Sequence, residues 1–364
     1  MEALEMTTFS GIYQNRRVLL TGHTGFKGSW LALWLKEMGA TVTCASLPPE
    51  STPNHWDLLK LSCDEHRQDL RDYPALASAV AKAQPEIVFH LAAQALVRRS
   101  YANPLDTWST NVIGTANLLE ACRHTPSVRA IVVITSDKCY DNKEWPWGYR
   151  ETDPLGGYDP YSASKGATEL VAASYRKSYF SGPDAPLLAT ARAGNVIGGG
   201  DWAEDRLIPD LVRSVSNRTA LEIRSPNATR PWQHVLESLS GYLLLGQNLL
   251  ENRREFADAW NFGPEPGSNR SVSQVLTRMQ EHWPAFIWQL TEKPQLHEAN
   301  LLYLDSSKAK TQLKWRPVWD LEQTLEATAA WYRGFLEAGK ISSRDQLLRY
   351  IADAQGEDCI WSRP

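Results

Sequence analysis

Short apolar runs alternate with helical patterns through the first two-thirds of this 364-residue chain, and that alternation leaves few folds open. Residues 17–21, 41–46, 86–91, 129–135 and 187–192 read as strands, being short and rich in apolar and β-branched side chains. Between them, 29–38, 75–83, 111–122 and 161–179 read as helices, with Gly39 as a stop signal after the first. Strands this uniformly apolar lack the polar alternation of a sheet with one wet face, so both faces need cover. The expectation is an α/β protein built on a doubly wound (Rossmann) parallel sheet.

The first strand runs straight into a glycine turn, Gly22, Gly25 and Gly28, that opens the first helix. Each glycine has a separate physical use there. Gly22 permits the tight turn, Gly25 lets backbone approach a pyrophosphate, and Gly28 allows close packing of helix on strand. The helix start then offers free N–H groups and a positive dipole end to an anion. Gly22, Thr24, Gly25, Phe26, Lys27 and Gly28 are therefore candidate dinucleotide-binding residues. The second strand ends in Ala45, Ser46 and Leu47, where an acid would hold the adenosine ribose. No Arg follows for a 2′-phosphate, so NAD is expected rather than NADP, with Ser46 hydrogen-bonding the ribose.

After residue 192 the pattern changes. Loop-like stretches at 198–202, 224–230 and 263–267 are separated by helical ones such as 207–216 and 235–250. Residues 1–192 are expected to form the NAD-binding domain, with about 230–262 returning to it. Residues 193–364 are expected to be mainly a smaller, mostly helical substrate domain. The formal charge of −4 is dispersed, which leaves no basic footprint for nucleic acid. No apolar run is long enough for a spanning helix, and the acidic first residues do not resemble a signal peptide. Five scattered cysteines, Cys44, Cys63, Cys122, Cys139 and Cys359, show no metal-ligating spacing. They read as reduced, mostly structural thiols of a cytoplasmic protein. The fifteen Trp are expected in the core or in oligomer contacts.

Tyr161 and Lys165 stand four apart on one face of a helix. An ammonium beside the phenol would lower the tyrosine from its usual value of about 10. Such a tyrosine can take the proton of an alcohol while hydride leaves the same carbon. By itself the pair could equally be a surface helix with an extended lysine stem.

In combination these residues resemble the extended short-chain dehydrogenase/reductase superfamily. The stretches that carry the likeness are the glycine turn, Asp69 and Leu70, His90 through Ala93, Asn111, Ser136, and Tyr161 with Lys165, in one order over most of the chain. The resemblance implies that Asp69 and Leu70 contact adenine and that Leu91, Ala92 and Ala93 line the cofactor. It also implies that Asn111 supports the catalytic network and that Ser136, Tyr161 and Lys165 form the hydride-transfer triad. Asp137 and Lys138 distinguish the branch. Sugar-nucleotide epimerases are expected to lack an acid directly after the triad hydroxyl, whereas 4,6-dehydratases carry Asp-Glu there. Lys138 in place of Glu is similar to the CDP-glucose 4,6-dehydratases, as are stretches 135–140, 147–151, 192–202 and 230–234.

That resemblance implies an internal redox elimination on a nucleotide sugar. Asp137, kept protonated by burial, would be the acid for the leaving 6-hydroxyl. Lys138 would be the C5 base if neutral; the alternative is that it stays charged while a relayed water takes the proton. Asn195, Arg206 and Arg230 are the expected contacts to the diphosphate. Trp202 and Trp232 near these motifs could pack on the base, although a core role suits both. The residue pattern does not discriminate cytosine from thymine or guanine. A 4-epimerase, a dehydratase acting on another nucleotide sugar, and a non-catalytic NAD-binding protein are the competing readings. The resemblance further implies a homo-oligomer, dimer or tetramer, that makes deoxysugars for lipopolysaccharide O-antigen.

Overall fold

The computed structural model describes residues 8–291 and 301–363. Its centre is a sheet of seven strands: β1 (Arg17–Thr21), β2 (Thr41–Ser46), β3 (Asp64–Arg67), β4 (Ile87–His90), β5 (Ala130–Ile134), β6 (Leu187–Ala193) and β7 (Ala259–Phe262). Every pairing is parallel and the order is β7-β6-β5-β4-β1-β2-β3. Register is set by pairs such as Leu20 with Cys44 on one side and with Phe89 on the other. The order reverses between β1 and β4, the crevice where open α/β sheets bind ligands.

The helices of eight or more residues are α1 (Phe26–Glu37), α2 (Tyr73–Ala83), α3 (Gly114–Arg123), α4 (Pro160–Ser178), α5 (Leu207–Asn217), α6 (Val235–Leu250), α7 (Val272–His282), α8 (Leu321–Ala338) and α9 (Ser343–Gly356). Side-chain alternation along the strands feeds two separate cores. Val18 and Leu20 of β1 pack with Trp30 and Trp34 of α1 and with Leu236 and Leu243 of α6. Leu19, pointing the other way, joins Leu76 of α2, Leu118 of α3 and Ala172 of α4. Fully burying each such aliphatic side chain stabilises the fold by roughly 1.5–3 kcal/mol.

Two local devices position the site. α1 begins at Gly25 and ends before Gly39, whose φ of +76° is the left-handed conformation that suits glycine. α4 begins at Asp159, whose carboxylate accepts from the Ser162 N–H (2.9 Å), with Pro160 in its first turn. That cap places Tyr161 at the mouth of the helix.

The remainder packs beside the carboxyl ends of β5 and β6. Leu221–Ile223 pairs with Trp288–Leu290, and Thr229–Pro231 runs antiparallel to Asn269–Ser271. The C-terminal helices are tied to the sheet layer by buried Glu237 of α6. It accepts from the Val318 and Trp319 N–H groups (2.9 and 2.7 Å) and from the Tyr350 hydroxyl (2.9 Å). Trp30, Trp34, Trp260, Trp315, Trp331 and Trp361 are fully buried.

Three features differ from the sequence reading, the first being β7, a buried strand outside the five apolar runs. β3 is a polar edge strand without apolar alternation, recognisable only through its pairing with β2. The helix read at 111–122 is instead a wide π turn, Ser109–Ile113, followed by α3. Among the described residues no helix is long and apolar enough to cross a membrane.

Candidate active site

β5 ends at Ile134 and delivers Ser136, Asp137 and Lys138 to the mouth of the sheet beside the first turn of α4. The Ser136 hydroxyl donates to Asp137 Oδ1 (2.9 Å) and accepts from the Lys138 N–H (3.2 Å). These three residues and Tyr161 line one cavity of about 670 Å³. Asn195, Arg206 and Arg230 line it too, so the residues expected on the substrate side are brought to the residues expected to do the chemistry. Lys165 stands one turn behind Tyr161, buried, with its ammonium donating to the Ile134 carbonyl oxygen (3.3 Å).

Burial dominates the electrostatics of this cavity. It raises the Asp137 carboxyl above the usual carboxylate range, against the opposing pull of Lys138, the Ser136 hydrogen bond, Arg230 and Lys27. Asp137 Oδ2 is buried and makes no hydrogen bond to another described residue. Tyr161 is pushed up to about 12 by burial, with the Ser136 hydroxyl working the other way. This corrects the expectation that Lys165 lowers the phenol: its ammonium is turned to a backbone carbonyl, and desolvation of the phenolate wins. Burial also pulls Lys165 down to about 8, with Glu169 opposing.

The walls are held from behind. Glu169 of α4 lies one turn beyond Lys165 and takes Arg192 Nε and Nη2 of β6, both at 2.9 Å, with both side chains buried. Thr190 donates to the same carboxylate (2.6 Å), while Arg192 reaches the Tyr140 hydroxyl (2.7 Å). Asn111, in the π turn, donates to Ser164 Oγ of α4 (2.8 Å) and the Gln94 carbonyl (3.0 Å), and accepts from the Gln94 N–H (2.8 Å). His90 is locked between Thr21 (2.7 Å) and Thr115 (3.0 Å), and burial lowers it to about 3, so it is a neutral strut.

The glycine turn fits a dinucleotide. Gly22 has φ +78°, and a Cβ there would lie 2.5 Å from the Ala92 nitrogen. One on Gly28 would lie 2.0 Å from the Gly22 oxygen, so helix and strand ends touch backbone to backbone. Gly25 is the exposed N-cap of α1; no side chain caps this helix start and no acid sits in its first turn. The dipole end is left for an anion. Leu91 is tied to β1 through its N–H on the Thr21 carbonyl (3.1 Å), and Ala92 donates to Thr21 Oγ1 (3.3 Å). Ser46 meets Thr24 Oγ1 at 2.8 Å, so these hydroxyls already share a bond where the ribose is expected. Asp69 chelates Arg71, whose other arm reaches Asp106, while Leu70 is buried against Gly114.

On the substrate side, Arg206 is held by Asp201 (3.0 Å), which raises it further. Arg230 is buried and donates to the Thr229 carbonyl (2.8 Å). Trp232 is also buried, with its indole N–H on the Arg270 carbonyl (3.0 Å), and Trp202 packs on Trp331 and Phe335. Sequence reasoning missed the Glu169–Arg192 pair, although the spacing of Tyr161, Lys165 and Glu169 along one helix face was a usable signal. It also missed that the Lys27 side chain enters the cavity, for which a glycine-turn motif carries no signal.

The GDP-mannose 4,6-dehydratase family model matches residues 19–328. A CDP-glucose 4,6-dehydratase of Salmonella typhimurium is 47% identical over 349 residues, spanning 93% of this chain and 97% of that one. Among solved structures, a dTDP-glucose 4,6-dehydratase from Streptomyces venezuelae with NAD bound superposes with a TM-score of 0.73 at 23% identity, over 87% of this chain and 98% of that one. The epimerase Mth375 of Methanothermobacter thermautotrophicus gives a TM-score of 0.80 at 24% identity, over 92% and 96%. At these identities the two structures speak to the fold alone.

Proposed function

The chain belongs to the GDP-mannose 4,6-dehydratase family, and from that premise we propose that it is an NAD-dependent hydro-lyase converting CDP-glucose to CDP-4-dehydro-6-deoxyglucose and water. The observation that carries the reaction type is Asp137: a buried, raised carboxyl with an unpartnered oxygen, directly beside the Ser136 and Tyr161 hydroxyls. An epimerase has no use for an acid there.

NAD, held by the glycine turn and by Leu91, Ala92 and Ala93, would take hydride from C4 and return it to C6. Tyr161, as the phenolate that the positive ring of bound NAD would favour, takes the proton of the 4-hydroxyl, with Ser136 hydrogen-bonded to it. The 4-keto group acidifies the C5 proton, whose loss Lys138 promotes directly or by relay. Asp137 protonates the departing 6-hydroxyl. Tyr161 then holds one proton too many and Asp137 one too few, and Ser136, hydrogen-bonded to Asp137 beside the phenol, is placed to pass it across. Arg206, Arg230 and Asn195 bind the diphosphate.

Incubation with CDP-, dTDP-, GDP- and UDP-hexoses tests the reading. A 4-keto-6-deoxy product from CDP-glucose ahead of the others is expected. Product that retains its 6-hydroxyl would sink the dehydratase assignment, and preference for another nucleotide would sink CDP. A homo-oligomer is supported by a shallow exposed groove of Leu105, Trp108, Val112 and Ile113. Sedimentation of Ile113→Glu should show a smaller species than the native chain; no change would count against that face. Product of this kind would feed deoxysugar assembly for lipopolysaccharide O-antigen.

A further inference from the structure

The turn that carries Ser136, Asp137 and Lys138 is gripped at both ends by one buried ion pair. At its entry, the Thr135 hydroxyl donates to Glu169 Oε1 of α4 (2.5 Å). At its exit, the Tyr140 hydroxyl accepts from Arg192 Nη1 of β6 (2.7 Å), and the guanidinium lies over the Tyr140 ring, 4.9 Å from its centroid. Between the two ends, the Cys139 carbonyl rests on α4 where Gly166 leaves room: a Cβ there would lie 3.2 Å from that oxygen. The Glu169 carboxylate accepts from Thr135, Thr190 and two Arg192 nitrogens, which fills the roughly four acceptor sites it has. A bidentate pair of this kind fixes direction as well as distance. Glu169, Arg192, Thr135 and Tyr140 are all buried.

Asp137 has little hold of its own. Its Oδ2 has no partner among the described residues, and its Oδ1 meets Ser136, which rides on the same turn. The acid therefore sits where the turn sits. Tyr161 and Glu169 lie two helical steps apart on one face of α4, so one helix carries the phenol and the carboxylate that aims the acid. We propose that Glu169 and Arg192 are positioning residues for the elimination: acting through Thr135 and Tyr140, they hold Asp137 and Lys138 against the sugar that Tyr161 has oxidised. This rests on the 4,6-dehydratase reading. The C4 oxidation depends less on the clamp, because Tyr161 stands on α4 itself, whereas both groups of the elimination stand on the turn.

Removing Glu169 would strand Arg192, so the test cuts the two arms instead. Thr135→Val and Tyr140→Phe each delete one hydroxyl at nearly unchanged size, and Thr135→Ser keeps the donor. Each variant is followed by its unfolding midpoint, KM for CDP-glucose, and the separate rates of C4 oxidation and elimination in single turnovers. Thr135→Val and Tyr140→Phe should stay folded at the assay temperature and keep KM and C4 oxidation within about threefold of native. Their elimination should slow by roughly 10–100-fold, the scale of a misplacement of about 1 Å. Thr135→Ser should restore elimination to within about threefold of native. Elimination within about threefold of native in either hydroxyl-deleted variant would overturn the proposal. So would equal slowing of oxidation and elimination, which a loosened core would give. A raised KM with kcat intact would also overturn it, making the hydroxyl a substrate contact. A native chain that leaves the 6-hydroxyl in place would instead remove the reading on which the proposal stands.

Discussion

Replacing Asp137 by Asn removes one transferable proton and almost no volume. The amide oxygen can keep the bond from Ser136 (2.9 Å), and the amide nitrogen takes the place of Oδ2. Oδ2 has no partner to lose and lies against Gly194, where an added Cβ would come within 3.1 Å. One unsatisfied buried polar group replaces another, so the stability change should stay below about 1–3 kcal/mol. Positioned acids contribute about 10²–10⁴-fold, or roughly 3–5 kcal/mol of barrier at 1.36 kcal/mol per decade. The C4 oxidation should survive, because its proton goes to Tyr161 and its hydride to the cofactor, and neither transfer needs the Asp137 proton. Rapid-mix kinetics with CDP-glucose and quenched product analysis separate the two events. Expected are normal appearance of the oxidised sugar and an elimination slowed by the full factor above. Equal slowing of both, or dehydration that persists within about tenfold of native, would refute the role assigned to Asp137.

Glu237 makes a pH prediction. Burial raises its carboxyl from 4.5 to about 7, so the folded chain holds that proton more tightly than the unfolded one. The corresponding stability, about 3 kcal/mol at 1.36 kcal/mol per unit, is present in full below the unfolded value of 4.5 and is lost as pH rises through about 7. Denaturant titrations at about pH 5 and pH 8 should show this slope in the native chain and its loss in Glu237→Gln; an unchanged slope would exclude Glu237 as the cause. Glu169→Ala should destabilise by about 3–5 kcal/mol, because it strands the buried Arg192 guanidinium. A loss under about 1 kcal/mol would mean that water reaches Arg192 once the carboxylate is gone.

Much of the scaffold was legible from residue pattern because its signals are local. The apolar runs that became β1, β2, β4, β5 and β6 announce two-sided burial, and a glycine turn between strand and helix has few physical uses. β3 was illegible because a polar edge strand takes its conformation from its neighbour: Asp64–Arg67 is a strand only against Thr43–Ser46. The π turn that carries Asn111 was hidden because its backbone bonds depend on what Asn111 holds across the fold.

At the site the division is sharper. Residue type and spacing already mark which groups can act: Ser136, Asp137, Lys138, Tyr161 and Lys165. How burial shifts Asp137, Tyr161 and Lys165 is not written in that spacing, because desolvation depends on what the rest of the chain places around a group. Tertiary structure set Tyr161 high where spacing suggested low, and it raised Asp137. It also brought Lys27 of the cofactor turn to the wall of the same cavity, within hydrogen-bond reach of a tyrosine 215 residues away.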